Sequence, residues 1–279
     1  MLNDPQIIDF VIRGEIEVEQ LGWEASRRCP FNCEHCYHGA PENVVMTPEA
    51  MDLMLSKFNG IPVKYMNLHG GEYSTDIRTL ENVAYALDRN KTEFHQFGLV
   101  TNGVGLRSKT INNFSNKHKR FFDILDFIAE LSVNKAVRVE MSDDPPHLKE
   151  YNRLGLEFDK HKEVFLSNNN PRIRTSMQHN ENLSSFADYG NAKTMQDIDK
   201  YRKYRTIKMN DIDLRFEQCL TSNKKVLLRN ITFDAKNNVT PSITEYAAGD
   251  KINFGNIHRD DLTQIFLDHG HEYRSIGYC

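Results

Sequence analysis

Three cysteines crowd into one short stretch, Cys29-Pro-Phe-Asn-Cys33-Glu-His-Cys36. Thiolates at C-x3-C-x2-C spacing on a loop can each take one corner of an iron–sulfur cube, and soft sulfur ligands suit such a cluster. No further Cys follows nearby, so one iron would keep an open position. An open position marks chemistry, whereas structural metal sites are normally closed. The same cysteines with His35 or His38 would also make a Cys3His zinc site. The cysteine pattern alone leaves both readings open.

Other polar segments cluster around short apolar runs. Met66-Asn-Leu-His-Gly-Gly-Glu-Tyr73 joins two glycines, which permit close backbone approach, to the anion of Glu72. Leu99-Val-Thr-Asn-Gly103 ends in a pair common in turns, with Thr101 and Asn102 as polar candidates. Val137-Arg-Val-Glu-Met-Ser-Asp143 offers Glu140 and Ser142. Tyr73, His95, His179 and Glu245 are the available acid–base groups, and each reads equally well as a surface residue.

Residues this far apart in the chain need a scaffold that gathers them. Strand-like runs at 21–25, 63–68, 94–100, 136–141 and 172–177 alternate with helix-like runs at 47–58, 76–88, 119–131 and 147–166. Thr47 before Pro48 is a helix start signal. Alternation of this kind predicts parallel strands with right-handed crossovers, and active residues then lie at the carboxyl ends of the strands. The expected fold is α/β: a partial (β/α)6 TIM-like barrel over residues 1–205, of which 1–19 form an amino-terminal extension. Beyond residue 206 the texture changes to short strands at 211–216, 226–233 and 239–243. A hairpin turn falls at Asp234–Asn238 and a last helix at 260–269. This predicts a small, separate α+β appendage over 206–279.

The chain of 279 residues can bury a sizeable core. Its net charge of −4 gives no global reason to expect nucleic acid or an anionic membrane. No apolar run would span a bilayer, and the acidic start does not read as a secretion signal. The cysteine clustering suits a reducing compartment, the cytoplasm, and not a disulfide framework.

The cysteine motif after the first strand, with Gly70-Gly71-Glu72 after the second and Thr101-Asn102-Gly103 after the third, resembles the radical S-adenosylmethionine (SAM) superfamily. The resemblance implies that Cys29, Cys33 and Cys36 hold one 4Fe-4S cluster and that SAM chelates the open iron. His35 takes the aromatic position before the third cysteine, and Tyr37 can share its role beside the adenine. Gly70, Gly71 and Glu72 would receive the amino end of SAM, with Thr101 and Asn102 nearby. Glu140 and Ser142 would stand at the Ser and Asp positions of a Ser-x-Asp motif, and Arg153 of Lys149-Glu-Tyr-Asn-Arg153 would meet the SAM carboxylate. Asp188–Lys193 resembles a Gly-Arg-Ala segment with Asn191 in place of Arg.

Residues 206–279 are similar to a SPASM/Twitch extension. Ser242 stands where a second Cys is usual, and only Cys219 and Cys279 remain, so an auxiliary cluster is not expected. The implied reaction is reductive cleavage of SAM to a 5'-deoxyadenosyl radical that abstracts hydrogen from a peptide or small-metabolite substrate. The electron would come from a flavodoxin or ferredoxin. A nucleoside or nucleic-acid substrate is the enzymatic alternative, suggested by the basic stretches 107–120 and 200–205; a zinc-stabilised binding module is the non-enzymatic one.

Overall fold

The computed structural model describes residues 5–36, 41–106, 114–178, 216–220, 226–240 and 253–272. Helix α1 (Pro5–Ile12) leads into β1 (Ile16–Ser26), which is followed by α2 (Pro48–Ser56), β2 (Val63–Gly70), α3 (Ile77–Asn90) and β3 (Phe94–Thr101). Then come α4 (Phe114–Leu131), β4 (Val137–Ser142), α5 (Pro145–Arg153), α6 (Phe158–Leu166) and β5 (Ile173–Gln178). Strands β6 (Phe216–Leu220), β7 (Val226–Phe233), β8 (Asn238–Thr240) and β9 (Gly255–Asn256) precede α7 (Leu262–His269) and β10 (Gly270–Glu272).

Strands β1 to β5 pair in sequence order and all in parallel. Parallel pairing demands a crossover between strands, and helices supply it on one face. That face is apolar: Leu21, Trp23 and Ala25 of β1, Met66 and Leu68 of β2, Phe97 and Leu99 of β3, and Val137 and Val139 of β4 are all buried. They form one core cluster with Met54 of α2, Leu80 and Val83 of α3, and Leu125 and Ile128 of α4. Each Val, Leu, Ile, Phe or Met side chain among them contributes about 1.5–3 kcal/mol by leaving water. The result is the expected partial TIM-like architecture.

The helices start as the sequence dictates. Thr47 caps α2 by accepting from the Ala50 amide at 3.2 Å, with Pro48 in the first turn. Asp144 caps α5 by accepting from the His147 amide at 3.1 Å.

Three features depart from expectation. The single helix expected at 147–166 is two, because Gly155 takes φ +63° between them, a conformation that suits glycine and ends α5. The strand expected to start at 21 starts at Ile16, so residues 16–19 of the expected extension belong to β1. The strands of the carboxyl-terminal segment join the main sheet. β7 lies parallel to β1 on the edge opposite β2, with Gly22 opposite Thr232 and Trp23 opposite Phe233. β6 and β8 add antiparallel to β7, and β10 adds to β6. The turn at Asp234–Asn238 forms as expected, with Asn237 at φ +70°. The boundary expected at 205/206 lies outside the described residues. No helix among the described residues is long and apolar enough to cross a membrane.

Candidate active site at the carboxyl ends of the strands

Parallel strands bring their carboxyl ends to one edge, and the polar segments follow directly from those ends. Cys29, Cys33 and Cys36 stand on the loop after β1, Gly71-Glu72 after β2, Asn102 after β3, and Asp144 after β4.

The paired glycines are required by contact within the chain. Gly70 sits at φ +114°, and a Cβ there would lie 2.4 Å from the Ser26 carbonyl oxygen. A Cβ on Gly71 would lie 2.3 Å from the Arg28 carbonyl oxygen and 2.8 Å from its nitrogen. The Gly71 amide donates to Ser26 O at 2.5 Å, and the Glu72 amide donates to Arg28 O at 2.7 Å. The end of β2 is thereby bonded to the base of the cysteine loop, at a distance no side chain permits.

Glu72 is buried and its carboxylate is a hub. It accepts from the Ser74 amide at 2.9 Å, the Thr101 hydroxyl at 2.5 Å and the Asn102 amide at 2.6 Å. Charge-assisted bonds of this kind are the strong ones, and they fix the ends of β2 and β3 together. Asn102 passes the constraint on: its side-chain amide approaches Cys29 Sγ at 3.6 Å, and its carbonyl accepts from the Tyr151 hydroxyl at 2.5 Å. Thr101 also accepts from the Gly103 amide at 2.9 Å.

Helix α5 clamps the far side of the loop. Glu150 accepts from the Asn32 amide at 2.8 Å and pairs with Arg153, whose guanidinium reaches Glu150 at 2.8 Å and Pro30 O at 3.3 Å. Lys149 pairs with Glu34 at 2.8 Å, and Phe31 packs edge-on against Tyr151 with ring centroids 5.1 Å apart. Arg153 is thus placed as a brace on the cysteine loop. Burial opposes ionisation of Glu150, but its bonds from Arg153 and the Asn32 amide outweigh that and hold the carboxyl below its usual range. At the loop's other flank Arg27 is buried between Glu24 at 3.0 Å and Glu42 at 3.3 Å, and Lys236 of the β7–β8 turn reaches Glu42 at 3.1 Å.

Cys33 is buried, and Cys29 and Cys36 are partly buried. Desolvation, then the neighbouring Glu72, pushes Cys29 up to about 12. Cys33 is driven further by burial and by Cys29 and Cys36. Thiols partly withdrawn from water and in each other's field are poorly suited to ionise alone. A cationic metal core would reverse that and displace their protons. A lone tetrahedral zinc holds its sulfurs about 3.8 Å apart, whereas a cubane spreads them further. Among the described residues the three thiols make no such tight group. Cys33, His35 and His147 do, with their ligand atoms all within 4.8 Å. The donor set on the loop fits a 4Fe-4S cluster, and His147 is a neighbour the sequence did not single out.

His35 lies against α5, its Nε2 3.7 Å from Asp144 and its ring 4.9 Å from that of His147. Burial lowers His35 to about 4, so it is neutral near pH 7. Asp144 is penalised by burial, but the His147 hydrogen bonds outweigh this and keep it well below the usual carboxylate range. Ser142 is buried and donates to Gln178 at 3.2 Å. Glu140 pairs with Arg138 at 2.5 Å on the concave wall of the sheet, short of the strand end.

Tyr73 and His95 are placed away from acid–base work. The Tyr73 hydroxyl is fully buried, accepts from the Ala25 and Ser26 amides at 3.0 and 3.1 Å, and donates to His69 O at 2.8 Å. It fills an irregularity where the β1–β2 register shifts. His95 sits near the start of β3, at the opposite end from the cysteines. Tyr37, His38, His179, Asp188–Lys193, Ser242, Glu245, Cys279 and the basic stretches at 107–110 and 200–205 lie outside the described residues. So does the side chain of Cys219, whose backbone stands in β6 opposite Leu227.

No protein-family model and no curated protein matches the sequence. Solved structures do match the fold. One, described as native anSMEcpe with bound AdoMet and Kp18Cys peptide, is 14% identical, with TM-score 0.50, over 90% of this chain and 80% of that one. Another, Streptococcus suis SuiB bound to precursor peptide SuiA, is 11% identical with TM-score 0.40. That match covers 88% of this chain and 64% of SuiB, so the chain spans under two thirds of SuiB's length. The chain shares its fold with anSMEcpe.

Proposed function

We propose that this chain is a radical SAM enzyme that acts on a peptide. The observation that carries the reading is the cysteine loop itself: one buried and two partly buried thiols in each other's electrostatic range, with Gly71 and Glu72 after β2 and Asn102 after β3 beside them. Cys29, Cys33 and Cys36 would hold one 4Fe-4S cluster. Bound there and reduced, such a cluster would supply the single electron for reductive cleavage of SAM, the chemistry that starts hydrogen abstraction from the substrate. The protein's own part is rigid placement. Glu72 ties β2 to β3, Asn102 directs an N–H at Cys29, and Glu150 and Arg153 brace the loop, so the site is set before ligands arrive.

Residues 206–279 act in this reading as a SPASM/Twitch-like extension without an auxiliary cluster. The peptide assignment is supported by the bound peptides named for anSMEcpe and SuiB. A flavodoxin or ferredoxin would donate the electron. The zinc reading rests on a different trio, Cys33 with His35 and His147, and predicts stoichiometric zinc.

Cys33→Ala tests the proposal. Anaerobically prepared variant should keep its far-ultraviolet circular dichroism, lose bound iron and release no 5'-deoxyadenosine with SAM and reductant. Continued release by that variant would refute the cluster assignment.

A further inference from the structure

The concave face of the sheet bounds an open cavity of about 600 Å³ whose lining mixes apolar residues such as Tyr65 and Val100 with the polar Gln20, Asn67, Gln96, Arg138 and Glu140, and Arg174 stands just beyond it. A barrel interior is ordinarily filled by branched apolar side chains. Here alternate residues of neighbouring strands place Asn67, Gly98 and Arg138 side by side in one layer, with Arg174 next on β5. Gly98 keeps the layer open: a Cβ there would lie 2.4 Å from Asn67 Oδ1, so the amide rests where a side chain would otherwise stand.

The layer is also unbalanced in charge. Arg138 and Arg174 stand opposite each other on adjacent parallel strands, whose backbones are about 4.8 Å apart. Glu140 pairs with Arg138, while Arg174 is exposed and makes no ion pair among the described residues. Among the described residues of this layer, two guanidiniums face one carboxylate. His35 and the buried Glu72 and Asp144 lie at the strand ends, beyond this layer. A planar guanidinium fork matches a carboxylate in two parallel hydrogen bonds.

We propose that Arg138 and Arg174, with Asn67 beside them, bind a carboxylate of the substrate, so that the enzyme takes a peptide presenting an acidic group to the concave face. This deepens the peptide reading and rests on it. The carboxylate can come from an Asp or Glu side chain or from a peptide carboxyl terminus, and both meet the same fork.

The test uses the full chain, reconstituted anaerobically and saturated with SAM. Iron content and 5'-deoxyadenosine release decide the parent reading first, before any peptide is added. Fluorescent alanine heptapeptides then serve as probes: central Glu, Gln or Lys with amidated ends, and central Gln with a free terminal carboxylate. We expect the Glu peptide, the free-acid peptide or both to bind at least tenfold more tightly than amidated Gln, and Lys to bind most weakly. In Arg138→Gln and Arg174→Gln that preference should fall to about onefold, and Arg138→Lys should restore part of it, which a general loss of folding would not do. Equal binding of Glu and Gln peptides, absence of binding by all four, or a preference that survives in Arg138→Gln overturns the inference while leaving the cluster reading intact.

Discussion

Substituting Glu72 by Gln separates a framework role from direct cofactor contact. The carboxylate accepts three hydrogen bonds from Ser74, Thr101 and Asn102 in a buried setting. The Gln oxygen can keep the Ser74 and Thr101 donors, but its NH2 then faces the Asn102 amide, donor against donor, where Oε2 now stands at 2.6 Å. The loss combines one charge-assisted bond and one stranded buried N–H, together about 3 kcal/mol. For a domain of this size that lowers the melting temperature by about 6 °C. Scanning fluorimetry on anaerobic protein without SAM should show the drop in full, and adding SAM should leave the difference between wild type and variant in place. An unchanged melting temperature without SAM, with SAM affinity lost, would refute the reasoning and make Glu72 a ligand of the cofactor's ammonium group.

Tyr73→Phe should strand the Ala25 and Ser26 amides, at a cost of about 2–4 kcal/mol, measured by denaturant unfolding. Single-turnover chemistry should show no change in pH profile, because the hydroxyl is not an acid or base in the reaction. Glu150 has its carboxyl held below the usual range in the folded chain, so its stabilisation is present above the unfolded value and is lost as pH falls through the folded one. The difference in melting temperature between wild type and Glu150→Gln should therefore be largest near neutral pH and shrink below about pH 4. A difference that grew on acidification would contradict the clamp on the cysteine loop.

Much of the site is written locally. The spacing of Cys29, Cys33 and Cys36, and the positions of Gly71 and Asn102 just past apolar runs, suffice to place them at one edge once the strands are taken as parallel. The sequence also shows an alternation on each strand, Leu21, Trp23 and Ala25 against Gln20, Gly22 and Glu24, that marks one apolar and one polar face. The same rhythm at Asn67, Gly98 and Arg138 was the available signal for the polar residues of the cavity. What could not be read is long-range. The pairing of β7 with β1 joins residues some two hundred positions apart, and neither strand's pattern names its partner. The hub at Glu72 is equally invisible, since its meaning depends on donors from Thr101 and Asn102. The glycine pair illustrates the ambiguity: it signals close approach, but only the fold shows that the approaching group is the Arg28 backbone. Gly155 was a legible break, outweighed in the sequence by helix-forming residues on both sides.

Metal analysis of anaerobically reconstituted protein, paired with a 5'-deoxyadenosine assay on the same sample, bears most directly on the account. The predicted result is about four iron and four sulfide per chain, with reductant-dependent release of 5'-deoxyadenosine from SAM. One zinc per chain with no sulfide, or a cubane that leaves SAM whole under reductant, would contradict it.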